Sequence, residues 1–153
     1  MSDDPRATAT LLARFRTALL ATRGEDGHLR CRPMAMRHEV RGEEIWFATA
    51  PDSTKCRDLE HDPRCALVFF DPQDGTTVTV SGAGEVIRDR KLMTELWDPS
   101  WTRWFPAGPD PREVALLRVI PEHVERHDGT TGRLQVLFTA PPRKRAPARG
   151  KGG

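Results

Sequence analysis

Thr76-Thr77-Val78-Thr79-Val80-Ser81-Gly82-Ala83-Gly84-Glu85-Val86-Ile87 alternates apolar and polar side chains and then carries two glycines one residue apart. A period of two is the signature of a strand with one face on a core. Glycines inside such a strand mark a bulge or the bend of a barrel strand. The segment therefore predicts a curved strand in a small barrel, and its neighbours extend that reading in both directions.

Upstream, Asp71 to Gly75 is a turn, and Cys65 to Phe70 is a continuous apolar run, expected as a strand buried on both faces. Before it, Thr54 to His61 reads as a short helix capped by Asp52 or Ser53 and ended by Asp62-Pro63. Ala18–Thr22 and His28 to about Arg37 form a hairpin across Gly24-Glu25-Asp26-Gly27, and Glu44 to Ala48 follows as a third strand after the Arg41-Gly42 turn. A first helix is expected over Asp4 to Arg16. Downstream, Arg88 to Trp97 and the Trp-rich stretch to Phe105 read as helices. Val114 to Ile120 is a buried strand, with His123 to His127 extending it past Pro121, and Leu134, Val136 and Phe138 alternate as in a last short strand. The expected class is mainly β with flanking helices, a six-stranded antiparallel split β-barrel.

With 37% hydrophobic and 30% charged residues in 153, the chain suits one folded domain. No apolar run approaches the ~20 residues that cross a bilayer, and the acidic Met1-Ser2-Asp3-Asp4 start is not that of a signal peptide. Cys31, Cys56 and Cys65 have neither disulfide-framework nor zinc spacing, so a cytoplasmic compartment is expected. The net charge of +2 conceals a division. Pro141 to Gly153 holds five bases and no acid, which leaves 19 bases against 22 acids, a net of −3, in residues 1–140. The domain is expected over 1–140, and 141–153 as a basic, disordered tail. The tail lacks aromatics to stack bases and hangs from an acidic body, so nucleic acid is not the expected partner.

The chemistry is concentrated in Phe47-Ala48-Thr49-Ala50-Pro51-Asp52-Ser53-Thr54-Lys55. A helix start presents free N–H groups and positive partial charge, which favours acids there. This helix begins with Lys55 and Arg57 instead. Two readings stand: Ser53 is a plain cap with a solvated Lys55, or an anion sits among Thr49, Ser53 and Lys55. Arg32, on the hairpin strand expected beside the Phe47 strand, adds a second cation. Two cations suit a phosphate monoester of about −1.5 to −2 charge. Pro33 within that strand marks an edge or a mouth.

Taken in order, Arg32-Pro33-Met34, Trp46-Phe47-Ala48-Thr49 with Ser53 and Lys55, Val80-Ser81-Gly82 with Gly84-Glu85-Val86, Asp89-Arg90, Leu96-Trp97 and Trp104-Phe105-Pro106 with Gly108 resemble the general stress protein branch of the pyridoxamine 5′-phosphate oxidase-like superfamily. The resemblance runs from about Leu11 to Asp128. It implies an FMN-binding split barrel acting as a homodimer with flavin at the interface. Arg32, Ser53 and Lys55 would hold the phosphate with Thr49 close by, Phe47 and Thr54 falling in the same stretch. The backbone of Arg32, Pro33 and Met34 would line the isoalloxazine. Trp97, Trp101 and Trp104 are candidates to approach the ring from across the interface, or else to pack in the core.

The chain departs from true pyridoxamine-phosphate oxidases. It has no Tyr and no Arg/His motif near its end, so vitamin B6 oxidation is not expected. Where stress-protein relatives carry an aromatic, it reads Glu125-Arg126-His127-Asp128. No His set has metal-ligand spacing, no side chain stands out as an acid–base catalyst, and Cys56 reads as a packed residue. Three functions follow as expectations: a flavin-dependent oxidoreductase of unknown substrate, a flavin-binding protein without turnover (storage, sensing or protection), or a split barrel holding FAD, a deazaflavin or haem.

Overall fold

The computed structural model describes residues 10–15, 17–36 and 44–141. Most of the expected first helix, the Arg41-Gly42 turn and nearly all of the basic tail lie outside these residues; a helical turn is seen at Thr10 to Leu12. The elements are β1 (Thr17–Arg23), β2 (Leu29–Ala35), β3 (Ile45–Thr49), α1 (Thr54–His61), β4 (Arg64–Phe70), β5 (Thr77–Ile87), α2 (Arg90–Leu96), a 3₁₀ helix (Pro99–Arg103), β6 (Ala115–His127) and β7 (Leu134–Thr139).

All strand pairs are antiparallel and follow the order β2-β1-β4-β5-β6-β3, with β7 also paired to β6. Six strands thus make the barrel path and a seventh is added to it. The sheet does not close by a full ladder. β2 pairs along its length with β1, and just past its end Met36 makes an isolated bridge to Phe47 of β3. The expected strand to about Arg37 thus meets the Phe47 strand through Met36, and among the described residues that bridge is their one pairing; β2 and β3 are opposite margins of one curled sheet.

Gly82 explains the curl. β5 and β6 slip register between Ser81 and Gly82, and a Cβ at Gly82 would stand 2.2 Å from the Ile120 carbonyl oxygen. Only glycine admits that approach. The residue paired to Gly82 is Pro121, which has no N–H to lose from a ladder. On its other edge β6 pairs with β3 through Val119 and with β7 from His123 onward. Pro121 sits where one partner hands over to the other, which is how a 13-residue strand runs through a proline.

The interior holds Leu20, Phe47, Leu67, Phe69, Val78, Val80 and Leu117, each fully buried. A second cluster, Trp46, Met93, Leu96, Trp101, Val114 and Leu116, lies between α2, the 3₁₀ helix and the outside of β3 and β6. Alternation sorts the strands: Phe47 faces the barrel and Trp46 the helices. β4 corrects the expectation of burial on both faces. Cys65, Leu67 and Phe69 are buried, but Ala66 and Val68 are half-buried and Phe70 is exposed. Burial pushes the Cys65 thiol up to about 12, with the Glu122 charge adding to it.

Candidate functional site

The margins of the sheet that meet at Met36 and Phe47 enclose a cleft of about 410 Å³. Pro33, Met34 and Ala35 wall it from β2, and Ala48, Thr49 and Ala50 from the end of β3. Lys55 of α1 enters one side, and Trp101, Trp104 and Phe105 close another. Among the described lining residues the walls are apolar apart from Lys55, Thr17 and Thr49.

Lys55 Nζ donates to Thr49 Oγ1 at 3.0 Å and has no carboxylate within ion-pair distance among the described residues. Burial holds its ammonium below the usual lysine range; the neighbouring Cys56 opposes this, and the Arg32 charge adds to the lowering. Ser53 precedes α1 at the N-cap position, and its side chain makes no capping bond; the first turn carries no acid, and the Ser53 hydroxyl lies 3.3 Å from Cys56 Sγ. The helix start therefore keeps its donors and its positive end without a local counter-charge.

Arg32 stands behind this corner rather than on the cleft wall. Its Nη1 donates to Thr22 Oγ1 at 2.6 Å and to the Leu20 carbonyl at 3.3 Å, and its Nη2 lies 3.6 Å from Asp58 Oδ2. Pro33, Met34, Thr49, Lys55 and Trp104 line the cleft together, as the sequence reading grouped them. Thr54 is the first residue of α1, and it faces a second, polar hollow with Arg30, Arg57 and Asp58. The Phe47 side chain is fully buried in the barrel. Trp97 is off the wall, packed edge-on against Trp101 at 5.6 Å, with its Nε1 3.4 Å from Thr102 Oγ1. Trp101 and Trp104 line the same chain's cleft as Lys55, Trp101 fully buried and Trp104 63% exposed.

Sequence reasoning missed Thr22, Asp58 and Phe105. Asp58 is 5% exposed, and its carboxylate accepts the Thr22 hydroxyl at 2.8 Å. The available signal was its place on α1 beside Leu59, on the side that packs against the sheet. Among the described residues no cluster of three or more His, Cys, Asp and Glu could hold a metal, and no helix is long and apolar enough to cross a membrane.

The site fits a phosphate-bearing planar ligand. A cation lacking a carboxylate partner stands at one end and aromatic walls at the other. Trp101 itself is buried behind that wall, and its Nε1 has no hydrogen-bond partner among the described residues. A curled antiparallel sheet with a cleft of this kind at its open margin defines a split β-barrel protein. The chain belongs to the family described as pyridoxamine 5′-phosphate oxidase like, whose model matches residues 3–144.

Among curated proteins it is 29% identical over 112 residues to Protein bli-3 of Neurospora crassa, covering 67% of this chain and 54% of that one. The chain thus spans about half the length of that relative. A Clostridium acetobutylicum protein related to general stress protein 26 of B. subtilis superposes with a TM-score of 0.75 at 18% identity, over 86% of this chain and 92% of that one. A pyridoxamine 5′-phosphate oxidase-related, FMN binding protein of Nostoc punctiforme gives 0.63 at 19% identity, over 80% and 81%. Two further neighbours differ in ligand. A heme binding protein of Mycobacterium smegmatis gives 0.66 at 18% identity over 86% and 56%. An F420 reductase gives 0.58 at 23% over 75% and 93%. These likenesses show the fold.

Proposed function

We propose that the cleft binds FMN by its phosphate and that the protein is a flavin-dependent oxidoreductase working as a homodimer. The observation that carries this reading is Lys55: half-buried, without a carboxylate partner among the described residues, beside Arg32, at a helix start whose first turn has neither acid nor side-chain cap. Lys55, Thr49 and the start of α1 would take the phosphate, with Arg32 adding charge from behind. Pro33, Met34 and Trp104 would bound the ring and exclude water from one side. FMN supplies hydride and electron transfer when bound. Among the described residues that line the cleft, the roles on offer are binding and orientation: Lys55 and Thr49 for the phosphate, Pro33, Met34 and Trp104 for the ring.

A deazaflavin would meet the same corner and remains in the same reading. Haem is less well served by the described lining, where Met34 is the one soft ligand and neither His nor Cys is present. The dimer is supported by the outer face of the sheet. Pro33, Leu19 and Val68 lie side by side across β2, β1 and β4, with exposed Phe70 beyond them. That apolar face adjoins the cleft, since Thr17, Pro33 and Ala35 belong to both.

The absorbance spectrum of the purified protein, followed by titration with FMN under fluorescence, tests the reading. Flavin bands, or quenching of added FMN at micromolar protein, are expected. Colourless protein that leaves FMN fluorescence unchanged overturns it. Reduction of the bound flavin by a nicotinamide donor separates turnover from storage.

A further inference from the structure

Three elements meet on the far side of Arg32. Asp58 lies one turn beyond Lys55 on α1, and its Oδ2 accepts the Thr22 hydroxyl of β1 at 2.8 Å. The same hydroxyl oxygen accepts from Arg32 Nη1 of β2 at 2.6 Å, and Arg32 Nη2 faces Asp58 Oδ2 at 3.6 Å. This is a closed triangle of carboxylate, hydroxyl and guanidinium. Asp58 is 5% exposed and the Arg32 side chain 19%. Arg30 also approaches Asp58, at 3.7 Å, but Asp26 already engages Arg30 through two hydrogen bonds. The partner of Arg32 is the triangle. Every hydrogen bond it makes among the described residues leaves from Nη1, so Nε and Nη2 retain donor capacity.

We infer that Asp58 is a positioning residue for the bound phosphate: through the Thr22 hydroxyl it fixes the Arg32 guanidinium beside Lys55. This rests on the reading that the cleft takes a phosphate. An arginine on a strand margin samples many rotamers, and ordering it on binding costs free energy. The triangle meets that cost when the chain folds, so the cation is in place before the ligand arrives.

The sign of the effect separates positioning from simple electrostatics. Asp58 places a negative charge near the phosphate, and as a charge alone it opposes binding. Removing it would then tighten FMN binding. A positioning role demands weaker binding from the same substitution.

The test measures FMN and riboflavin affinity in parallel on the full chain, since only FMN carries the phosphate. Asp58→Asn is expected to weaken FMN about tenfold and leave riboflavin within about twofold. Thr22→Val, which keeps the carboxylate and removes the hydroxyl, should do the same, and Thr22→Ser should restore wild-type affinity. In an Arg32→Ala background, Asp58→Asn should add nothing. If Asp58→Asn and Thr22→Val tighten FMN binding or leave the FMN-to-riboflavin ratio unchanged, the inference is overturned while the phosphate reading stands. If the wild-type protein does not distinguish FMN from riboflavin, the phosphate reading falls, and the positioning role with it. Loss of thermal stability with an intact ratio marks the triangle as structural only, and also overturns the inference.

Discussion

Gly82 of β5 stands opposite Pro121 of β6, at a register shift where the two backbones approach too closely for any side chain on Gly82. Substitution there tests the source of the curl. Gly82→Ala would set a methyl group 2.2 Å from the Ile120 carbonyl oxygen, and the backbone must move. Overpacking of this kind costs about 1–3 kcal/mol. The midpoint of urea unfolding should fall accordingly. A midpoint equal to wild type would show that the bulge is not set by this contact.

Lys55→Ala and Arg32→Ala remove the two cations from the proposed phosphate corner. Hydrogen bonds to charged groups are worth about 1.5–3 kcal/mol, so each variant should bind FMN roughly 10- to 100-fold more weakly. Riboflavin affinity should change little. A loss shared equally by both ligands would mean that the ring pocket, not the phosphate corner, had been damaged.

The lowered Lys55 ammonium gives FMN binding a pH profile. In the folded protein Lys55 sheds its proton at lower pH than in the unfolded chain, because burial and then Arg32 oppose its charge. Between those two values the unfolded state holds more protons, so this group makes stability rise as pH rises toward the ordinary lysine value of 10.5. A phosphate favours the charged amine, so FMN affinity should move the other way and decline as pH passes through the lowered value. It should also decline below about pH 6, where the phosphate takes up its second proton. Isothermal titration across pH 5 to 10 reads both limbs. Lys55→Arg, which keeps its charge, should flatten the alkaline one.

The outer face of β1 and β4 provides the test of the dimer. Leu19 and Phe70 are 42% and 56% exposed, large apolar side chains on an open sheet. Leu19→Lys and Phe70→Lys should each halve the mass measured by light scattering and weaken FMN binding with it. Unchanged mass in both variants would place any subunit contact elsewhere.

Much of this fold was legible because its signals are local. The alternation of Val78 and Val80 with Gly82 and Gly84 marked a bent barrel strand. The Gly24 to Gly27 turn closes the first hairpin, with Gly27 at a φ of 82°. Strand order was not legible, since placing Arg32 near Phe47 depends on how far the sheet curls. The apolar run of β4 signalled burial without saying which surface buries each face. In the site, charge at a helix start singled out Lys55, and a second cation on the hairpin strand singled out Arg32. Asp58 escaped notice because an acid on a short helix reads as solvated until the side of α1 that meets β1 is known. The three tryptophans could not be ranked, because a 3₁₀ helix does not repeat every 3.6 residues.

β6 serves two partners along one edge, β3 as far as Val119 and β7 from His123. The sheet is thus a spine bearing two leaves that do not touch each other's hydrogen bonds. Only the β3 leaf borders the cleft. Growth or remodelling of a chain after Thr139 acts on the β7 leaf and spares the binding corner.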